Sequence, residues 1–79
     1  MARVLLFGRL SDVAGWRERA FDAASLSSLK ALIGRQGPEL AQALAGPGVQ
    51  TAVDKVLVRG DAPLGDRQEV AFLPPMSGG

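Results

Sequence analysis

The sequence contains no cysteine and no histidine among its 79 residues. Without cysteine a chain has no disulfide and no thiolate nucleophile, and without both residues it lacks the usual ligands of transition metals. These two side chains also supply much of the acid–base and nucleophilic catalysis in proteins, and the eight acidic residues show no pairing that would replace them. We therefore expect no metal site, no tightly bound cofactor and no stand-alone enzyme.

An excess of one charge and a long apolar run are also missing. Nine Lys and Arg residues face eight Asp and Glu, a formal net charge of +1, and the two signs are interspersed. This balance argues against a nucleic-acid surface. The opening MARVLLFGRL is too short an apolar run for a signal peptide, and no window reaches the roughly 20 apolar residues of a membrane span. We expect a soluble, cytoplasmic protein with no nucleic acid or membrane partner.

The length of 79 residues and the hydrophobic fraction of 47% indicate one small globular domain. Its local sequence patterns predict both strands and helices. The apolar run RVLLFG predicts a buried strand over 3–8, and weak alternation in RERAFDA predicts a second over 17–23. Between them, SDVAGW (11–16) combines Ser, Asp and Gly, which is typical of a turn.

The middle of the chain predicts two helices. Ser25 is a good N-cap for SLSSLKALIG, in which leucines and Ile33 recur at helical spacing before Gly34. GPELAQALAG predicts a second, shorter helix that begins at Pro38 and ends at Gly46.

The last third predicts strands. TAV and VLV flank Asp54 and Lys55, which indicates a hairpin turn, and EVAFL (69–73) predicts a strand with Val70 and Phe72 on one face. If the apolar first and last strands lie side by side at the sheet centre, they are parallel and a helix covers one face. The expected α+β fold is a mixed sheet packed on one main helix, with a short second helix. It resembles the β-grasp architecture of ubiquitin.

The sequence finishes with LPPMSGG. Pro74 and Pro75 favour an extended backbone, and a diglycine fits a channel too narrow for any side chain. The six residues 74–79 span at most roughly 20 Å when extended. We expect residues 1–73 to form the domain and 74–79 a flexible tail that reaches a partner's active site; a frayed terminus without function is the alternative.

Two segments carry a resemblance to a known family. TAVDKVLVRGDAPLGDRQEVAFLPPMSGG and VLLFGRLSDVAG resemble the small subunit of molybdopterin synthase, the MoaD family of ubiquitin-like sulfur carriers. The ending EVAFLPP-x-SGG is the most specific part of the match. Four positions depart from the family's usual residues: Asp54 stands where Asn is usual, Arg67 where Gly is usual, Gln68 where Asp is usual, and Met76 where Val is common.

The resemblance implies a carrier cycle centred on the carboxylate of Gly79. A partner of the ubiquitin-activating type adenylates it with ATP and Mg²⁺, and sulfur from a donor protein then replaces AMP to leave a thiocarboxylate. The tail inserts into the large synthase subunit and gives its sulfur to a pterin precursor; the expected assembly is a heterotetramer of two large and two small subunits. The tail residues are Pro74, Pro75, Met76, Ser77 and Gly78.

The resemblance also implies an apolar docking patch made of Phe7, Leu57 and Leu73. The alternative is that all three belong to the core. Three other functions stay open: a sulfur carrier for another pathway such as thiamine, a protein modifier conjugated through Gly79, and a non-covalent interaction module whose tail is incidental.

Overall fold

A five-stranded mixed sheet with helices on one face forms the architecture in the computed structural model, which describes residues 1–75. The elements in chain order are β1 (Ala2–Leu6), α1 (Arg9–Ala14), β2 (Glu18–Phe21), α2 (Leu26–Gly34), α3 (Pro38–Ala45), β3 (Gln50–Val53), β4 (Val56–Val58) and β5 (Glu69–Leu73). The strand order is β2-β1-β5-β3-β4, and the β1–β5 pair is parallel while the other pairs are antiparallel. The predicted central pairing of the first and last strands is confirmed.

The core lies between the sheet and the helices. Alternate residues of the two central strands point into it, and Val4, Val70 and Phe72 are fully buried. The fully buried residues of α2 are Leu26, Leu29 and Ile33. Burying apolar area of this kind supplies most of the folding free energy of a small domain.

Helix α2 begins where the sequence predicts, at the N-cap Ser25. The Ser28 backbone N–H donates to Ser25 Oγ, and the Ser25 N–H donates to Ser28 Oγ, each over 3.2 Å, which is a reciprocal capping box. Asp61 adds a further partner from the loop after β4, because its carboxylate accepts the N–H and the hydroxyl of Ser27 at 2.9 and 3.0 Å. These hydrogen bonds lower the pKa of Asp61 and fasten that loop to the start of the helix.

The hairpin turn between β3 and β4 is also confirmed. Asp54 and Lys55 both have positive φ, 49° and 71°, the geometry that matches the twist of a two-residue hairpin. The Asp54 carboxylate accepts the Glu69 N–H at 2.9 Å and the Gln68 side-chain amide at 3.2 Å. These hydrogen bonds lower the pKa of Asp54 and anchor the start of β5 to the turn.

One expected turn is a helix instead. The sequence predicts a turn over 11–16, but α1 spans Arg9–Ala14 and ends at Gly15 in the left-handed region, with φ 83°. Leu10 explains the difference, since it is buried in the core, where α1 packs against α3. The second strand is shorter than the predicted 17–23, at Glu18–Phe21.

The single tryptophan, Trp16, lies in the segment between α1 and β2 and packs partly against the core. The Trp16 ring lies 5.7 Å from that of Phe21, and its indole N–H donates to Gln36 Oε1 at 2.8 Å. It therefore joins the edge strand to the end of α2.

Among residues 1–75, no helix has the length and apolar character needed to cross a bilayer.

Candidate docking face and base of the tail

The face of the sheet opposite the helices is apolar over much of its width. Strand register places Leu57 beside Ala52, Ala52 beside Ala71, and Ala71 beside Leu5 in one row across four strands. Residues two positions further along β1 and β5 share this face, and they are Phe7 and Leu73. The three residues assigned to a docking patch by resemblance therefore lie on one surface, which we call the open face.

These three residues are accessible to different degrees. Phe7 is 45% exposed and Leu57 59%, whereas Leu73 is half-buried. Large apolar side chains at this exposure, clustered on one sheet face, are typical of a protein-binding surface. The alternative that all three belong to the core does not hold for Phe7 and Leu57.

Strand β4 presents apolar side chains on both faces. Val56 and Val58 lie on the face of the strand opposite Leu57, toward the core, yet Val56 is 63% exposed. It escapes burial because β4 is a three-residue strand at the edge of the sheet. Only Val58, at the other end of the strand, packs partly against the core.

An ionic cluster occupies the other end of the open face. Arg3 donates to Glu69 at 2.8 Å and lies 3.5 Å from the Glu18 carboxylate, on the strands either side of β1. The hydrogen bond to Glu69, followed by the charge of Glu18, raises the pKa of Arg3. The face thus has one charged end and one apolar end. Sequence reasoning missed this cluster because its members are far apart in the chain and meet only through strand pairing.

The tail leaves the domain at the apolar end. The Phe7 N–H donates to the Phe72 carbonyl over 3.3 Å, and β5 ends at Leu73. Pro74 and Pro75 follow, and the lack of an N–H in proline prevents them from donating to the ladder. Both prolines line an open groove of about 840 Å³ between α1, α3 and the loop that follows α3. The remaining predicted site residues, Met76, Ser77, Gly78 and Gly79, lie outside the described residues.

Within residues 1–75, no group of three or more acidic side chains is arranged to hold a metal ion. The acidic residues with lowered pKa, Asp54 and Asp61, are both occupied in fastening loops. What the arrangement can do is bind a partner through the open face and present whatever follows Pro75.

The fold and this face define a ubiquitin-like β-grasp protein. A structure of the small archaeal modifier protein 1 from Methanosarcina acetivorans superposes with a TM-score of 0.87 at 20% identity, covering 99% of this chain and 95% of that one. A putative molybdopterin converting factor, subunit 1, from Pyrococcus furiosus superposes with a TM-score of 0.81 at 25% identity, covering 95% and 97%.

Sequence comparison identifies the family to which this ubiquitin-like β-grasp protein belongs. The model of the ThiS family matches residues 4–79. The molybdopterin synthase sulfur carrier subunit of Escherichia coli (strain K12) is 36% identical over 81 residues, with the whole of both chains covered. The chain belongs to the ThiS family, within the ThiS/MoaD group of ubiquitin-like sulfur carriers.

Proposed function

We propose that this protein is the sulfur carrier of molybdopterin synthesis, the small and non-catalytic subunit of the synthase. The observation that carries the proposal is full-length similarity to a molybdopterin synthase sulfur carrier subunit, with a family match that runs through Gly79. An apolar face that ends where the tail begins is consistent with it. A large subunit docks on this face, and the tail enters that subunit's active site.

The first half of the proposed cycle activates the carboxylate of Gly79. A carboxylate oxygen attacks the α-phosphorus of ATP, pyrophosphate leaves, and an acyl-adenylate forms on a partner of the ubiquitin-activating type that also binds the Mg²⁺. A persulfide of a donor protein then attacks the acyl carbon and AMP leaves. A thiol reduces the resulting acyl disulfide, which frees the thiocarboxylate. Because the cycle consumes ATP, we place the protein in the cytoplasm.

The second half delivers the sulfur. In the large subunit the thiocarboxylate sulfur attacks a carbon of the pterin precursor that carries oxygen, and that oxygen leaves. Water then hydrolyses the acyl–sulfur bond, which leaves the sulfur on the pterin and returns Gly79 to a carboxylate. Two deliveries supply the two sulfurs of the dithiolene, which fits a heterotetramer of two large and two small subunits. The carrier contributes no acid or base, so all catalytic groups belong to its partners.

Intact mass measurement tests this directly. We expect the protein, made beside its activating enzyme, to gain the mass difference between one sulfur and one oxygen, located at Gly79. A variant that lacks Gly79 should keep its fold by circular dichroism and lose both this gain and all support of molybdopterin synthesis. A free carboxylate that persists with ATP, sulfur donor and activating enzyme present would contradict the proposal.

Two other outcomes would favour a different function for this protein. Covalent adducts on other proteins that survive reducing, denaturing gels would favour a modifier conjugated through Gly79, the function that the name of the Methanosarcina acetivorans relative describes. A thiocarboxylate that restores thiamine synthesis, and not molybdopterin synthesis, would assign the carrier to that pathway.

A further inference from the structure

Two glycines bracket the point where the tail leaves the sheet. Strands β1 and β3 flank β5 on either side. Gly8 lies two residues after the end of β1, and Gly48 lies two residues before the start of β3. A Cβ placed on Gly8 would lie 3.1 Å from Cγ of Pro74, and one placed on Gly48 would lie 2.7 Å from Cβ of Pro75. We call these two glycines the Gly8–Gly48 slot.

Backbone conformation alone does not account for the slot. Gly8 and Gly48 both have positive φ, 54° and 83°, which favours glycine. Gly15 and Gly60 share that region, with φ of 83° and 73°, yet a Cβ on either would meet no atom within 4 Å. The close approach to proline is therefore a separate feature of the slot.

The contact acts on the main chain of the tail. Cβ of Pro75 belongs to a ring closed onto its own backbone, and Pro75 Cα would lie 3.6 Å from the same Cβ placed on Gly48. A methyl group at Gly48 has no side-chain rotation that relieves it. It must displace the backbone at Pro75 or the loop before β3.

We propose that the Gly8–Gly48 slot fixes the base of the tail and aims the residues beyond Pro75 into the active site of the activating enzyme. Gly8 and Gly48 are then positioning residues of the carrier reaction, and this part of the inference rests on the proposed function. A tail fixed at its base enters a channel with less loss of entropy and in one direction. Errors of about 1 Å in placing a reacting group can cost roughly 100-fold in rate.

The test compares Gly48→Ala with Gly15→Ala, since both sites have φ 83° and only Gly48 touches the tail. With the open face unchanged, we expect Gly48→Ala to leave KM for adenylation nearly unchanged and to lower kcat roughly 10- to 100-fold. Gly15→Ala should keep the wild-type kcat. Equal kcat for the two variants would overturn the positioning role.

A second variant covers the case in which Gly48→Ala fails to fold. Pro75→Gly removes the Cβ that the introduced methyl group would meet, so the double variant Gly48→Ala/Pro75→Gly should fold. In the Pro75→Gly background, Gly48→Ala should cost little further kcat. Two outcomes would show that the contact between position 48 and Pro75 is not the cause. One is a double variant that stays unfolded while Gly15→Ala folds, and the other is additive effects of the two substitutions on kcat.

A measurement without any enzyme separates this inference from the proposed function. In the wild-type protein, NMR should show nuclear Overhauser contacts between the α protons of Gly48 and the ring protons of Pro75. Their absence would overturn the slot whatever the activity. Their presence in a protein that is never adenylated would uphold the slot and reject the proposed function.

Discussion

Arg67 occupies a backbone conformation that suits glycine better. Its φ is 68°, and the other non-glycine residues with positive φ in residues 1–75 are the hairpin pair Asp54 and Lys55. The family resemblance places Gly at position 67, which puts the geometry of this turn in question. The structure keeps the left-handed geometry, and the Arg67 N–H donates to the Met1 carbonyl over 3.2 Å. The side chain is therefore accommodated at a cost in strain.

Replacing Arg67 with Gly should raise stability. A left-handed conformation costs an L-residue about 1–2 kcal/mol, and the glycine variant avoids this cost. Glycine also raises the conformational entropy of the unfolded chain, which offsets up to about 1 kcal/mol of the gain. We expect a net gain of about 0.5–1 kcal/mol in the free energy of unfolding, measured by urea denaturation. Arg67→Ala keeps the Cβ and removes the charge, so it should show no gain. A gain shared by both variants would assign the effect to charge and not to strain.

Single residues were predictable where their signal is local. Ser25 as an N-cap, and Asp54 with Lys55 as a hairpin turn, depend on hydrogen bonds and dihedral angles within a few positions, so their neighbours in the sequence reveal them. Gly48 carries no such signal. Its role depends on Pro75, which is distant in the chain and arrives only through the pairing of β3 with β5.

At the scale of elements, β4 offers a test of the open face. Leu57 and Val56 are neighbours on the same edge strand with similar exposure, 59% and 63%, but they point to opposite faces of the sheet. Because the two side chains match in exposure and differ in the face they occupy, substitutions at these positions test the face alone. Substitution of either should cost the fold little, since neither is buried.

Leu57→Lys should weaken binding to the large subunit, whereas Val56→Lys should not. A charge on the apolar open face must be desolvated at the interface, and anchors of this kind typically cost about 2 kcal/mol or more, roughly 30-fold in Kd. Titration calorimetry with the purified large subunit measures both. Equal losses for the two variants, or none, would show that the open face is not the docking surface.

The elements themselves were predicted unevenly, for a physical reason. Helix α2 and the β3–β4 hairpin have complete local signals, a cap and a stop or a two-residue turn between apolar runs. Helix α1 has only six residues and contains Ser11 and Asp12, which favour turns in isolation. It forms because Leu10 is buried in the core, where α1 packs against α3, and a local pattern does not contain such tertiary contacts. The docking patch came from resemblance, and strand register then explains why its members share a face.

At the scale of the whole molecule, the two ends of the described chain make the centre of the fold. β1 begins at Ala2, β5 ends at Leu73, and they pair in parallel between the antiparallel strands. Folding therefore requires residues separated by nearly the whole sequence to meet, and most of the core depends on that pairing. The arrangement also places the start of the tail at the end of the central strand of the sheet.

Two truncations, after Leu73 and after Val70, should separate the residues needed for folding from those needed for carrier activity. Ending the chain after Leu73 removes the prolines and the tail but leaves every strand intact, so we expect cooperative urea unfolding with a nearly unchanged slope and no carrier activity. Ending it after Val70 also removes Phe72, whose side chain is fully buried. Loss of a core phenylalanine side chain costs about 3–5 kcal/mol, a large share of the roughly 5–15 kcal/mol that stabilises a domain.

We therefore expect the shorter truncation product to be unfolded by circular dichroism and the longer one to retain the full sheet signal. The chain ending at Leu73 should also still compete with the full-length protein for the large subunit, because the open face is complete without the tail. Loss of cooperative unfolding in that product would show that the folded unit extends beyond residues 1–73. Failure to compete, with the fold intact, would instead place the main binding energy in residues 74–79.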